Sequence, residues 1–326
     1  MRRDMDGRPG FVNEEAVDPR IHSTLDRLRS LELGAGDFSF LPRQPSRSAL
    51  NGRMASRIRG RGLDFEEIRH YLPGDDVRAI DWKVTARTGE PHVRVLLEER
   101  DRPAFIVVDQ RISMFFGSRH NMKSVTAAEL AALIAWRVLA EGDRVGGIVF
   151  DDARWTEHRP HRSRRAVYRF LETVSRANSA LHANSPVESE PGMLGRAIEA
   201  VDRIMGHDSL LVLISDFDGA EAGVRRHVAR LSRHNDVVLA LVHDPLARVL
   251  PDAGSLVVGD GRLQFNLDLG NRRVRERLEK HSGARIQRLL DWQAETGAAV
   301  LPVSTAEDTA MQLQRLMGVR PGPERP

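Results

Sequence analysis

From Pro103 onward the chain alternates short apolar runs with long helical patterns, and few folds accept that alternation. The runs are Ala104 to Asp109, Arg144 to Phe150, Ser209 to Ser215, Val237 to Val242 and Ala299 to Val303. Each is strand-length and near-continuously apolar, as a strand buried on both faces must be. Between them, helical spacing covers Met122 to Glu141, Arg164 to Arg176, Leu194 to Met205, Ala220 to His234, Arg272 to Thr296 and Ala306 to Met317. Strands alternating with helices predict an α/β fold, a doubly wound, mostly parallel sheet with helices on both faces. The Met122 helix is apolar nearly all round, with Leu130, Leu133, Ile134, Trp136, Val138 and Leu139, which predicts deep packing. Leu256-Val257-Val258-Gly259-Asp260-Gly261 reads as a small hairpin added to this core.

Upstream the pattern is different. Residues 1–16 are polar and read as disordered, as does the Pro- and Gly-rich tail 318–326. Asp18-Pro19 reads as the N-cap and first position of a helix carrying Ile21, Leu25, Leu28 and Leu31, with Gly34 as its stop. Val93 to Glu98 reads as a strand after the turn residues Gly89-Glu90-Pro91. The expected organisation is a helix and small α+β subdomain over 17–101, then the large α/β domain over 102–317. No stretch approaches the roughly 18 apolar residues that cross a bilayer, and the first ten residues lack the apolar core of a secretory signal. A cytoplasmic protein without membrane insertion is expected, and with no cysteine there is no disulfide framework.

Residues 60–99 concentrate turn residues, paired charges and aromatics. Gly62-Leu63-Asp64-Phe65 leads into Arg69-His70-Tyr71-Leu72-Pro73-Gly74-Asp75-Asp76-Val77-Arg78-Ala79-Ile80-Asp81-Trp82-Lys83, followed by Ala86-Arg87. Asp75, Asp76 and Asp81 are candidates for a cation or for acid–base work, and Arg69, Arg78 and Arg87 for an anion. The plainer reading is a salt-bridged turn, because Pro-Gly-Asp-Asp is strong turn chemistry and equal supplies of Asp and Arg satisfy each other. With Tyr71 and Trp82 inside it, the segment predicts a packed subdomain supporting a recognition surface. This segment resembles the signature of the bacterial "domain of unknown function 58" family, whose members carry a von Willebrand factor A-like domain just downstream. The resemblance covers about residues 40–317.

In open α/β sheets ligands bind beyond the carboxyl ends of the strands, where strand order reverses. Three runs end in polar groups: Asp109-Gln110-Arg111-Ile112-Ser113, Asp151-Asp152 and Ser215-Asp216-Phe217-Asp218. The resemblance implies that such acids descend from a metal-ion-dependent adhesion site, Asp-x-Ser-x-Ser with a distant Thr and a distant Asp. Asp109, Ser113 and Asp216 match it as potential Mg²⁺ ligands. Arg111 stands where the first serine belongs, and Gly192-Met193-Leu194 replaces the Thr-x-Leu. A guanidinium set between Asp109 and Asp216 would do electrostatically what Mg²⁺ does elsewhere. The plainer alternative is that Asp109 and Asp216 cap turns and hold nothing.

Other chemistry is weakly supported. Gly117 to Ser124 ends in Lys-Ser after a strand, but Met122 stands where a phosphate loop needs glycine and the spacing is five rather than four. His158 and His161 are too few for a closed zinc site, and the Gly-x-Ser-x-Gly and His-Glu-x-x-His patterns are missing. Lys83, Lys123 and Lys280 are the only lysines among 49 basic residues. Arg43, Arg47, Arg53, Arg57, Arg59 and Arg61 form a stripe without acids, and Arg159 to Arg165 form a second cluster. Without interleaved aromatics these favour an acidic protein partner at least as well as nucleic acid. The expectation is a non-enzymatic protein-binding adaptor whose partner docks around Asp109, Arg111, Ser113 and Asp216. The resemblance implies a MoxR-type AAA+ ATPase as that partner, in a chaperone-like pathway. A nucleic-acid or phosphate-binding module on the Arg-rich stripes, and a metal-dependent enzyme at the strand-end acids, are the alternatives.

Overall fold

The computed structural model describes residues 18–37, 63–73, 75–98, 102–183, 189–220, 222–247, 255–259, 264–268, 271, 287–289 and 291–317. The expectations for residues 1–16, the Arg43 to Arg61 stripe, Gly74, residues 272–286 of the long helical pattern and the tail 318–326 lie outside the described residues. The chain divides into two compact units, residues 41–101 and the remainder.

The larger unit is built on one six-stranded sheet. Its strands are β3 (Pro103–Asp109), β4 (Arg144–Phe150), β5 (Trp155–His161), β6 (Leu210–Ser215), β7 (Asp236–His243) and β10 (Ala299–Ser304), in the spatial order β10-β7-β6-β3-β4-β5. All neighbours pair in parallel except β4 and β5. Counted along this unit, the order is 3-2-1-4-5-6, a doubly wound sheet that reverses direction at β3. With its antiparallel edge strand, the unit is von Willebrand A-like. The apolar runs alternate faces residue by residue: Ala104, Ile106 and Val108 belong to one core, Phe105 and Val107 to the other.

Helices cover both faces. One core holds α1 (Leu25–Ser30), α3 (Lys123–Ala140), α4 (Arg164–Ser179) and α7 (Thr309–Met317). The other holds α5 (Met193–Ile204), α6 (Ala222–Leu231) and the helical residues near Leu289 and Trp292. α3 is buried from Lys123 to Val138, as its all-round apolar surface requires. Each Leu or Ile buried there contributes about 1.5–3 kcal/mol. Gly147 sets how closely β4 lies on β3: at φ 155°, a Cβ would stand 1.9 Å from the Ile106 carbonyl oxygen. The β8–β9 hairpin (Ser255–Gly259 with Gln264–Asp268) forms as expected, antiparallel.

Two details depart from the expected pattern. β5 reads as a basic cluster in the sequence, yet it is the antiparallel edge strand, with mostly exposed side chains and backbone pairing to β4. The first helix starts at Thr24, whose hydroxyl accepts from the Arg27 N–H, and not at Asp18. The Asp18 carboxylate is instead taken by the Arg20 guanidinium at 2.7–3.2 Å. That helix also belongs to the α/β unit and not with the signature segment. Leu28 is buried there and its carbonyl accepts from Trp136 Nε1 at 3.0 Å.

The smaller unit pairs β1 (Leu63–His70) with β2 (His92–Glu98) antiparallel, and α2 (Trp82–Thr88) lies between them in sequence. Its aspartates act as turn and cap residues. Asp75 receives the Arg69 fork at 2.8 and 2.9 Å and the Leu72 N–H at 2.8 Å. Asp76 accepts from the Arg78 N–H, and buried Asp81 accepts from the Lys83 and Val84 N–H groups at the start of α2. Gly89 closes α2 at φ 82°. Of the two aromatic residues of the signature segment, Tyr71 is half-buried and Trp82 is 69% exposed. Trp82 opens α2 directly after the capping Asp81, whose N–H donates to the His92 carbonyl.

Candidate strand-end site

The strand ends of the larger unit carry a buried ionic cluster at the point where the sheet order reverses. Asp109 closes β3 and Asp216 follows β6, its parallel neighbour. Asp109, Arg111 and Asp216 are each no more than 2% exposed. The Arg111 fork grips Asp109: Nε lies 3.0 Å from Oδ1 and 3.2 Å from Oδ2, and Nη2 lies 2.7 Å from Oδ2. The Arg111 backbone N–H donates to the same carboxylate at 3.0 Å, and the Ser215 hydroxyl donates at 2.6 Å. Nη2 also stands 3.9 Å from Asp216. Asp216 takes its main cation from Lys123, whose Nζ is 2.5 Å from Oδ2. Its Oδ1 accepts from the Asp218 N–H.

The guanidinium also reaches two neighbouring loops. Nη1 donates to the Pro191 carbonyl at 3.2 Å and Nη2 to the Asp218 carbonyl at 3.1 Å. Gly219 permits this closure: it has φ 68°, and a Cβ there would fall 2.4 Å from Pro191 Cβ. Asp152 ties the same region from β4, accepting from the Ile112 N–H at 2.6 Å and the Glu190 N–H at 2.9 Å. Beyond β7, Asp244 accepts from the Ser118 hydroxyl and N–H, the Thr305 hydroxyl and the Leu246 N–H.

Electrostatics follow from burial and from these contacts. Burial works against the charged form of Arg111, but Asp109, and then Asp216 and Asp152, outweigh it and raise its pKa, so it is a permanent cation. Burial pushes the Asp152 carboxyl up, against the pull of its two backbone donors. Burial would also raise Asp244, yet the hydroxyls of Ser118 and Thr305 and two backbone N–H groups hold it below the usual carboxylate range.

The structure thus gathers Asp109, Arg111 and Asp216 and leaves Ser113 aside, its hydroxyl buried without a hydrogen-bond partner. The signature residues Arg69, Tyr71, Asp75, Asp76, Arg78, Asp81, Trp82 and Arg87 belong to the smaller unit. The sequence reading missed Lys123 as the partner of Asp216. A lysine at the start of a helix that is apolar nearly all round was the available signal, because a buried ammonium needs an acid.

A divalent cation does not fit this arrangement. Arg111 occupies both oxygens of Asp109, Lys123 occupies Asp216, and Gly192, at the start of α5, has no side-chain oxygen to offer. Among the described residues, no group of three His, Cys, Asp or Glu is placed to hold a metal. The Gly117 to Ser124 loop is likewise committed, Ser118 to Asp244 and Lys123 to Asp216. In the second basic cluster Arg164 pairs with Glu32, and His158 meets Thr173 with its pKa lowered by burial. Among the described residues, no helix is long and apolar enough to cross a membrane.

Comparison with known proteins agrees with the signature. Uncharacterized proteins of Mycobacterium bovis and Mycobacterium tuberculosis are 32% identical over 264 residues, which is 80% of this chain and 78% of theirs. Among solved structures, a point mutant of the PilB minor pilin from Streptococcus sanguinis aligns with 69% of this chain and 63% of its own, at 13% identity and a TM-score of 0.33. The model for the family described as "Protein of unknown function DUF58" matches residues 67–288, and the chain belongs to that family.

Proposed function

We propose that this protein is a non-enzymatic protein-binding adaptor whose partner docks on the strand-end face of the α/β unit. The observation that carries the reading is the commitment of Asp109, Asp152, Asp216 and Asp244 to cations, hydroxyls or backbone donors inside the protein. Asp109, Arg111, Asp216 and Lys123 fix the shape of the face, because they are too deeply buried to be touched. Contact would fall to exposed neighbours on the same loops, Ser118, Arg119, His120, Ala153 and Arg154, with Phe115 and Phe116 half-buried beside them. This favours a partner that is acidic at its contact surface. A MoxR-type AAA+ ATPase in a chaperone-like pathway is the partner class that the family resemblance suggests, and it would place the protein in the cytoplasm. The adaptor would present a client, and the ATPase would do the remodelling work.

The test is reconstitution with a purified MoxR-type ATPase from the same genome. Arg119→Glu with Arg154→Glu should weaken binding while leaving the circular dichroism spectrum unchanged. An Arg111→Met variant should weaken binding by loosening the face from beneath. If surface charge reversal leaves ATPase binding intact, the strand-end face is not the docking site. If no ATPase of this class binds the wild type, the partner assignment is wrong.

A further inference from the structure

The smaller unit carries three exposed apolar side chains within one short stretch of sequence. Leu72 is 59% exposed, Val77 60% and Trp82 69%. An exposed indole close in sequence to two exposed aliphatic residues is the composition of interface anchors, since Trp and Arg are enriched and charged Lys and Glu depleted where proteins dock. The backbone from Asp76 to Trp82 is held by hydrogen bonds. Asp81 N–H donates to the His92 carbonyl, Ile80 bridges to Val93 on β2, and Asp76 and Asp81 cap the turns on either side. A docking partner would therefore meet these side chains on an ordered backbone, with little ordering entropy to lose.

The charges around them are asymmetric in their commitments. Each of the four acids in the described stretch 69–91 has a partner: Asp75 has Arg69, Asp76 and Asp81 have backbone N–H groups, and Glu90 has His70. Three of the four Arg and Lys residues do not. Arg78, Lys83 and Arg87 are exposed and make no ion pair or hydrogen bond with another side chain among the described residues. On α2, Lys83 and Arg87 are four residues apart and so lie on one helix face.

We infer that Leu72, Val77, Arg78, Trp82, Lys83 and Arg87 form a docking surface for an acidic protein segment that carries an apolar anchor. The cations match its carboxylates, and Trp82 with the two aliphatic side chains takes the anchor. A nucleic-acid strand would use the cations and stack on Trp82, but it has no use for Leu72 and Val77, and this favours a peptide. The inference is independent of the strand-end reading, because it rests on the other unit. It gives the protein two recognition surfaces, one per unit.

The experiment titrates the full-length protein with a labelled synthetic peptide of about a dozen residues alternating Glu or Asp with Leu and Phe. Controls are the same peptide with Gln and Asn for the acids, and a labelled single-stranded oligonucleotide of similar length. Anisotropy should show saturable binding of the acidic peptide that weakens with rising salt. Trp82→Ala and Arg78→Glu/Arg87→Glu should each weaken it about tenfold or more. Far-ultraviolet circular dichroism, and the milder Trp82→Gln, separate lost contacts from lost folding. Loss of peptide binding in Arg119→Glu/Arg154→Glu, with the Trp82 and Arg78/Arg87 variants unaffected, would place the peptide on the strand-end face and overturn the inference, so failure of either reading is distinguishable from failure of the other. Equal binding of the neutral peptide, unchanged binding by the Trp82 and Arg variants, or preferential binding of the oligonucleotide would each overturn the inference.

Discussion

Replacing Arg111 by methionine is the most direct challenge to an internal cation at the strand ends. The substitution keeps a long unbranched stem but removes the fork that touches Asp109 three times and reaches Pro191 and Asp218. The two carbonyls sit on loops that water reaches, so their loss is minor. Asp109 has no such relief at 0% exposure, keeping only the Ser215 hydroxyl and the Arg111 backbone N–H as donors. Removing one partner of a buried ion pair costs about 3–5 kcal/mol. With a urea slope of about 2–3 kcal/mol per molar, the midpoint should fall by roughly 1–2.5 M. Charge is the cause, so Asp109→Asn added to Arg111→Met should restore part of the loss, with a coupling energy above about 2 kcal/mol. Urea unfolding of the four proteins, followed by circular dichroism, makes the cycle. A loss below about 1 kcal/mol for Arg111→Met, or simple addition of the two single costs, would refute the argument.

Three further outcomes follow from the same geometry. Arg111→Ser alone should bind no Mg²⁺, because Lys123 stays on Asp216; adding Lys123→Ala should produce a thermal midpoint that rises with Mg²⁺, and a Mg²⁺-insensitive double variant would count against vacated metal positions. Asp152 and Asp244 should respond oppositely to acid. Asp152 is raised in the fold, so wild type should gain stability relative to Asp152→Asn as pH falls toward and through its folded pKa. Asp244 is lowered, so its advantage over Asp244→Asn should hold above pH 3.8 and disappear as pH falls through its folded pKa; parallel trends in denaturation at stepped pH would contradict both assignments. Gly219→Ala should destabilise by about 1–3 kcal/mol in a thermal melt, combining a left-handed backbone with a clash against Pro191, and a neutral result would mean that the loop pair yields freely.

How much of this the sequence disclosed depended on what each residue must avoid. Strands buried on both faces cannot tolerate polar side chains, so β3, β4, β6 and β7 stood out as apolar runs, and the edge strand β10, with only Leu301 and Val303 buried, stood out through its apolar composition alone. β5 was invisible for the complementary reason. Trp155-Thr156-Glu157-His158-Arg159-Pro160-His161 is an edge strand joined by backbone pairing, which leaves its side chains free to be polar. Asp109, Arg111 and Asp216 were legible because strand-end acids flanking a reversal in strand order need neutralising. Lys123 was read against a phosphate-loop pattern, and nothing local says that its ammonium turns to an acid 93 residues away. The exposure of Trp82 was equally hidden, since no spacing rule foretells it for an aromatic residue among paired charges.

The substitution of a guanidinium for an ion changes what the strand-end face can do. A bound metal leaves when its concentration falls, and a face completed by metal is then open to regulation by supply. Arg111 is tethered to the strand it neutralises, and its two carbonyl contacts bind the Pro191 and Asp218 loops to β3 at the same time. Asp152 adds the Ile112 and Glu190 backbone, so the ends of β3 and β4 and the Pro191 and Asp218 loops are held by groups that belong to the chain. A face built in this way should have one shape at every metal concentration. Control of binding would then rest with the partner, or with the second surface on the smaller unit. If the protein is the adaptor proposed above, with the remodelling work done by its partner, a constant shape serves it better than a switch.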